Sequence, residues 1–64
     1  MAKINGEIVK IDNVSILDYL KENGYNPLMV AVEINEEIVP KTTFDSHLIK
    51  DEDTVEIVSF VGGG

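Results

Sequence analysis

Sixty-four residues without a cysteine make one small domain whose 44% apolar content must fold it unaided, because neither disulfides nor cysteine-held metal can reinforce the core. Five lysines against twelve acidic residues leave a net charge of −7, which argues against nucleic acid and anionic membranes as partners and favours a basic protein surface. The opening "MAKINGEIVK" lacks an apolar signal core, and no run approaches the ~18 apolar residues of a membrane span, so a cytoplasmic protein, monomeric on its own, is expected.

"AKINGEIVKI" reads as a hairpin, since Asn5 and Gly6 both tolerate the positive φ of a type I′ turn. Folding back across that turn places Ile4 on the same face as Val9 and Ile11. "VSILDYLKENGY" reads as a helix with both ends marked. Ser15 and Asp18 have capping-box spacing, and Val14 and Tyr19 have the spacing of a hydrophobic staple. Ile16, Leu17 and Leu20 form its buried stripe. Gly24 fits the position just past the end, Tyr25 folds back onto Leu20, and Pro27 prevents continuation.

"LMVAVEINEEIVP" alternates, with Val30, Val32 and Ile34 on one face and Ala31 and Glu33 on the other, as in a half-buried strand. Asn35, Glu36 and Glu37 turn it, Ile38 and Val39 form a short edge strand, and Pro40 ends the edge. One short helical turn is expected around Phe44 to Leu48. The final strand, "TVEIVSFV", points Val55 and Ile57 inward and Glu56, Val58 and Phe60 outward. This order gives an α+β two-layer fold, with one helix on one face of a mixed sheet of about five strands. The domain spans residues 1–61, and a flexible tail is expected over residues 62–64.

That tail is the question the sequence poses. Gly62, Gly63 and Gly64 are either a frayed end or the means of carrying the Gly64 carboxylate into another protein's active site. Three extended residues reach about 10 Å, at ~3.3–3.6 Å each. Glycine has no Cβ, so such a tail threads a narrow channel and accepts any φ imposed there.

The "INGEIV" hairpin, the "SILDYL" helix, "VAVEINEEIVP" followed by Lys41, the acidic turn "KDED" and the ending "VEIVSFVGGG" together resemble the ubiquitin-like sulfur carrier proteins of bacterial thiamine biosynthesis, across the whole chain. The family's turns usually read Asn-Gly-Glu and Asp-Gly-Asp. Here they are Asn35-Glu36-Glu37 and Asp51-Glu52-Asp53, which bears on local turn conformation and not on chemistry. The resemblance implies a β-grasp fold. It also implies a cycle in which a ubiquitin-activating-type adenylyltransferase uses ATP and Mg to convert the Gly64 carboxylate to an acyl-adenylate. A sulfur donor, such as a cysteine desulfurase, then replaces AMP, and thiazole synthase uses the resulting thiocarboxylate. The chain itself would bind no cofactor and catalyse nothing.

Val58, Phe60 and Val61, beside the tail, are the candidate partner-binding residues. A buried Phe is worth about 1.5–3 kcal/mol, enough to anchor a transient contact. Asp51 to Asp53 lack the twelve-residue pattern of a calcium loop and read as a solvated turn. His47, with no cysteine or second histidine to assist it, reads as a surface or edge residue. Related readings keep the tail but change its use: a sulfur carrier for molybdopterin or another product, or a modifier joined to lysine through Gly64. A passive interaction domain with an inert tail is the alternative of a different class.

Overall fold

Asn5 and Gly6 take φ of 50° and 84°, so the first hairpin turns as a type I′ loop requires. In this computed structural model, which describes residues 1–60, the turn joins β1 (Ala2–Ile4) to β2 (Glu7–Val9). Their register pairs Ala2 with Val9 and Ile4 with Glu7. Ala2 and Ile4 are buried, and Val9 and Ile11 pack against the same core, as the alternation predicts.

After Asn13, in the left-handed region at φ 62°, Val14 and Ser15 form the two-residue strand β3. Ser15 then caps α1 (Ile16–Glu22), its Oγ accepting the Asp18 N–H at 3.0 Å. This satisfies one of the four amides that a helix start leaves without a partner. The far end closes as a Schellman motif. Tyr25 N–H donates to the Leu20 carbonyl at 2.9 Å and Gly24 N–H to that of Lys21 at 3.3 Å. Gly24 sits at φ 80°, where a residue with a Cβ would be strained. Ile16 and Leu20 are fully buried and Leu17 is half-buried.

A 3₁₀ turn at Pro27–Met29, capped by Asn26, leads into β4 (Val30–Ile34). Val30, Val32 and Ile34 are buried as expected. The next turn needs only two residues, Asn35 and Glu36, at φ 53° and 72°. Glu37 accordingly belongs to the edge strand β5 (Glu37–Ile38), where it pairs with Ile34. Val39 lies past that strand, but its N–H still donates to the Val32 carbonyl at 2.9 Å.

The helical turn expected around Phe44 to Leu48 is present but begins earlier and ends at His47, whose N–H donates to the Thr43 carbonyl at 2.8 Å. A 3₁₀ turn occupies Lys41–Thr43, Phe44 is buried in the core, and Leu48 lies in β6 (Leu48–Ile49). β6 pairs antiparallel with β3 in a small second sheet, Val14 facing Ile49. Two-residue strands carry no periodicity. They form here because Asn13, Ile16 and Leu17 donate to the carbonyls of Ile49, His47 and Phe44, pairing backbone groups at the helix entry that burial would otherwise strand.

The chain closes with β7 (Thr54–Ser59) in the middle of a mixed five-stranded sheet of order β2-β1-β7-β4-β5. Val55 and Ile57 join the core under α1. The tail expected over Gly62 to Gly64, and Val61 before it, lie outside the described residues.

Candidate functional site

The base of the tail is set by β7, which is hydrogen-bonded on both sides. It runs parallel to β1, with Ile4 beside Val55, and antiparallel to β4 through pairs from Ile34–Val55 to Val30–Ser59. Asn5 strengthens the first of these seams. Its side chain accepts from Ile57 N–H at 2.7 Å and donates to the Ile57 carbonyl at 3.2 Å, standing in for a strand beyond the end of β1. On the other seam, Phe60 N–H donates to the Met29 carbonyl at 2.8 Å. Backbone pairing therefore extends one residue past β7, to the last described position.

At this end of the sheet the apolar side chains are open. Val58 is 57% and Phe60 50% exposed, against 1% for Val55 and 7% for Ile57. The alternation read from the sequence accordingly holds for Val58 and Phe60, two of the three candidate docking residues, which face solvent. Met29, whose backbone meets Phe60, is also exposed, and Val58 lies opposite half-buried Ala31. Toward the far end of β7 the open surface becomes acidic, with Glu33 directly opposite Glu56. Like charges so paired cost stability.

One member of the site was not assigned a role from the sequence. Lys41, just after Pro40, extends its ammonium to the Val30 carbonyl. There Nζ lies 5.5 Å from the centre of the Phe60 ring and 5.8 Å from that of Phe44, both within cation–π range. The sequence offered only a basic residue after "IVP". That it meets Phe60, nineteen positions later, depends on β4 and β7 being neighbours.

The ThiS family pattern matches residues 1–64, the full chain. The chain belongs to the ThiS family. It is 39% identical to the sulfur carrier protein ThiS of Bacillus subtilis over 66 aligned positions that cover all of both chains. A thiazole synthase of Paramagnetospirillum magneticum is 42% identical over 62 residues, which are 95% of this chain but 19% of that protein. The crystal structure of the thiamine biosynthesis protein ThiS from Geobacter metallireducens superposes with a TM-score of 0.77 at 28% identity, covering 98% of this chain and 97% of that one. The fold is thus the β-grasp that the resemblance implied.

The other candidates lie away from the Phe60 end of β7 in this ThiS-family chain. A cleft of about 650 Å³ is bordered by Asn35, Ile38, His47, Leu48 and Asp53, near the start of β7. Half-buried His47 lines it beside β6. The acidic turn is held by hydrogen bonds: Lys50 N–H to the Asp53 carboxylate at 2.8 Å, Asp51 N–H to that of Asp12 at 2.8 Å, and Asn35 to Asp53 at 3.0 Å. Among the described residues, no three His, Cys, Asp or Glu side chains are grouped to hold a metal ion, and no helix is long and apolar enough to cross a membrane.

Proposed function

We propose that this ThiS-family chain is a sulfur carrier of thiamine biosynthesis and that its working group is the Gly64 carboxylate. The observation that carries this reading is the junction of tail and sheet. The central strand is paired to β4 as far as Ser59, with Phe60 N–H held by the Met29 carbonyl. On its other side it is paired to β1 at Thr54 and Val55 and to the Asn5 side chain at Ile57, so it is anchored to within a few residues of Gly64. Family membership across the whole chain supports the same assignment.

In this reading a carboxylate oxygen of Gly64 attacks the α-phosphorus of ATP in a ubiquitin-activating-type enzyme, which supplies the Mg ion, and pyrophosphate departs. The outer sulfur of a persulfide on a donor such as a cysteine desulfurase then attacks the acyl carbon and displaces AMP. A thiol cleaves the resulting acyl disulfide, taking the donor sulfur into a new disulfide and leaving the thiocarboxylate. Adenylation is needed because a carboxylate is a poor electrophile until its oxygen becomes part of a leaving group. Gly62 and Gly63 keep the approach narrow, and Val58, Phe60 and Val61 form the apolar docking surface beside it. Ordering the tail costs on the order of 1–2 kcal/mol per residue, which partner contacts must offset. The thiazole synthase of Paramagnetospirillum magneticum contains a segment similar to 95% of this chain. That supports a thiazole synthase as the acceptor.

Shortening the tail tests the assignment. Deleting Gly64 leaves a carboxylate of the same chemistry on Gly63 but removes ~3.3–3.6 Å of reach. Adenylation should be abolished, because even ~1 Å of misplacement can cost about a hundredfold in rate. An alanine appended after Gly64 should fail similarly, by adding a methyl group to the channel and moving the carboxylate past the phosphorus. ATP–pyrophosphate exchange with the activating enzyme measures both. Near-normal exchange from both variants would end the case for Gly64. Intact mass of the protein from its own cells should show oxygen-to-sulfur replacement at the terminus. Adducts on other proteins would point to a modifier instead.

A further inference from the structure

We infer that Lys41 is a positioning residue: it holds Phe60 against the sheet and so fixes where the reactive tail begins. The inference rests on the carrier reading above and adds a residue to it. Three contacts converge on one ammonium. Nζ donates to the Val30 carbonyl, on the strand that pairs with β7. It also lies 5.5 Å from the Phe60 ring centre and 5.8 Å from that of Phe44.

The two rings differ in how firmly they are held. Phe44 is 3% exposed and belongs to the core, whereas Phe60 is 50% exposed. Lys41 thereby links a movable ring to an immovable one. Among the described residues Phe60 has few other restraints, since β7 ends at Ser59 and the Phe60 backbone is held by the bond from its N–H to the Met29 carbonyl. Only four residues separate it from the terminus. A swing at Phe60 moves the point from which the last four residues set out, and adenylation is sensitive to displacements of about 1 Å.

The tests are Lys41→Met, which keeps most of the apolar stem but removes the ammonium, and Lys41→Arg, which restores a cation able to stack on a ring and donate to a carbonyl. In the wild type, ring currents should shift the Lys41 Hε protons upfield. In Lys41→Met, the Phe60 amide should exchange faster with solvent and its backbone order parameter should fall, while those of Ile57 stay unchanged. With the activating enzyme, kcat for Lys41→Met should fall roughly ten- to a hundredfold, more than KM rises, and Lys41→Arg should recover most of it.

Unshifted Hε protons, or a Phe60 amide equally protected in Lys41→Met, would overturn the contact and the role together. Normal kcat from Lys41→Met, beside an active wild type, would overturn the positioning role alone. A wild type that supports no exchange would defeat the carrier reading itself. The NMR measurements would then still report whether Lys41 holds Phe60.

Discussion

Asn5 and Asn35 each do two jobs at the turns they occupy. Both adopt the positive φ that their two-residue hairpins require, at 50° and 53°, and both turn their side chains onto β7. Asn5 bonds the backbone of Ile57, and the Asn35 Oδ1 accepts from Thr54 N–H at 3.0 Å. Their turn partners differ. Gly6 follows Asn5 at no steric cost, whereas Glu36 is held at φ 72° with a Cβ. Two glycine substitutions should therefore act in opposite directions. Glu36→Gly should stabilise the fold by about 0.5–1 kcal/mol by relieving that conformation. Asn5→Gly keeps the turn but leaves the Ile57 amide and carbonyl without their side-chain partner, a loss of about 1–3 kcal/mol. Urea denaturation of the two variants checks this. Destabilisation by Glu36→Gly would mean that the left-handed conformation at residue 36 is not strained.

At the scale of elements, β7 has two tasks that divide by face. Val55 and Ile57 complete the core, while Val58 and Phe60 stay exposed beside the tail. Ile57→Asp should unfold the domain. An unpaired carboxylate in the core costs several kcal/mol, and at about 0.05–0.15 kcal/mol per residue a chain of this length has little more stability than that. Phe60→Asp should leave the melting temperature nearly unchanged and weaken adenylation by the activating enzyme, through loss of the docking surface and of the ring that Lys41 meets. Thermal melts of both variants, beside exchange assays of Phe60→Asp, separate the two tasks. If Phe60→Asp melted as early as Ile57→Asp, its ring would have to belong to the core.

For the whole molecule, the net charge of −7 is largely unpaired. Among the described residues the ion pair is that of the N-terminal ammonium with Asp51, and Glu33 faces Glu56 across β4 and β7. Self-repulsion of this kind is screened by salt, with a Debye length of about 10 Å at 0.1 M. The melting temperature should rise by a few degrees between ~0.01 and ~0.15 M sodium chloride, since about 1 kcal/mol moves a domain this small by roughly 4–8 °C. A melting temperature that falls with salt would mean that attractive pairs outweigh the repulsion.

The sequence by itself determined the parts whose signals are local. Asn5-Gly6 demanded a positive-φ turn, Ser15 and Gly24 marked the two ends of α1, and alternation along Val30–Ile34 and Val55–Ile57 assigned their faces. Each of these depends on residues within one turn or one strand of each other. The glycine ending and the whole-chain resemblance carried the candidate chemistry in the same way. Tertiary structure decided what has no local signal. The pairing of β3 with β6 has too few residues to show a period, and it takes Leu48 out of the helical turn expected around Phe44 to Leu48, which ends at His47. The link from Lys41 to Phe60 joins positions that are distant in the chain. It exists because β4 lies beside β7, which brings the Val30 carbonyl and the end of the last strand within reach of one ammonium.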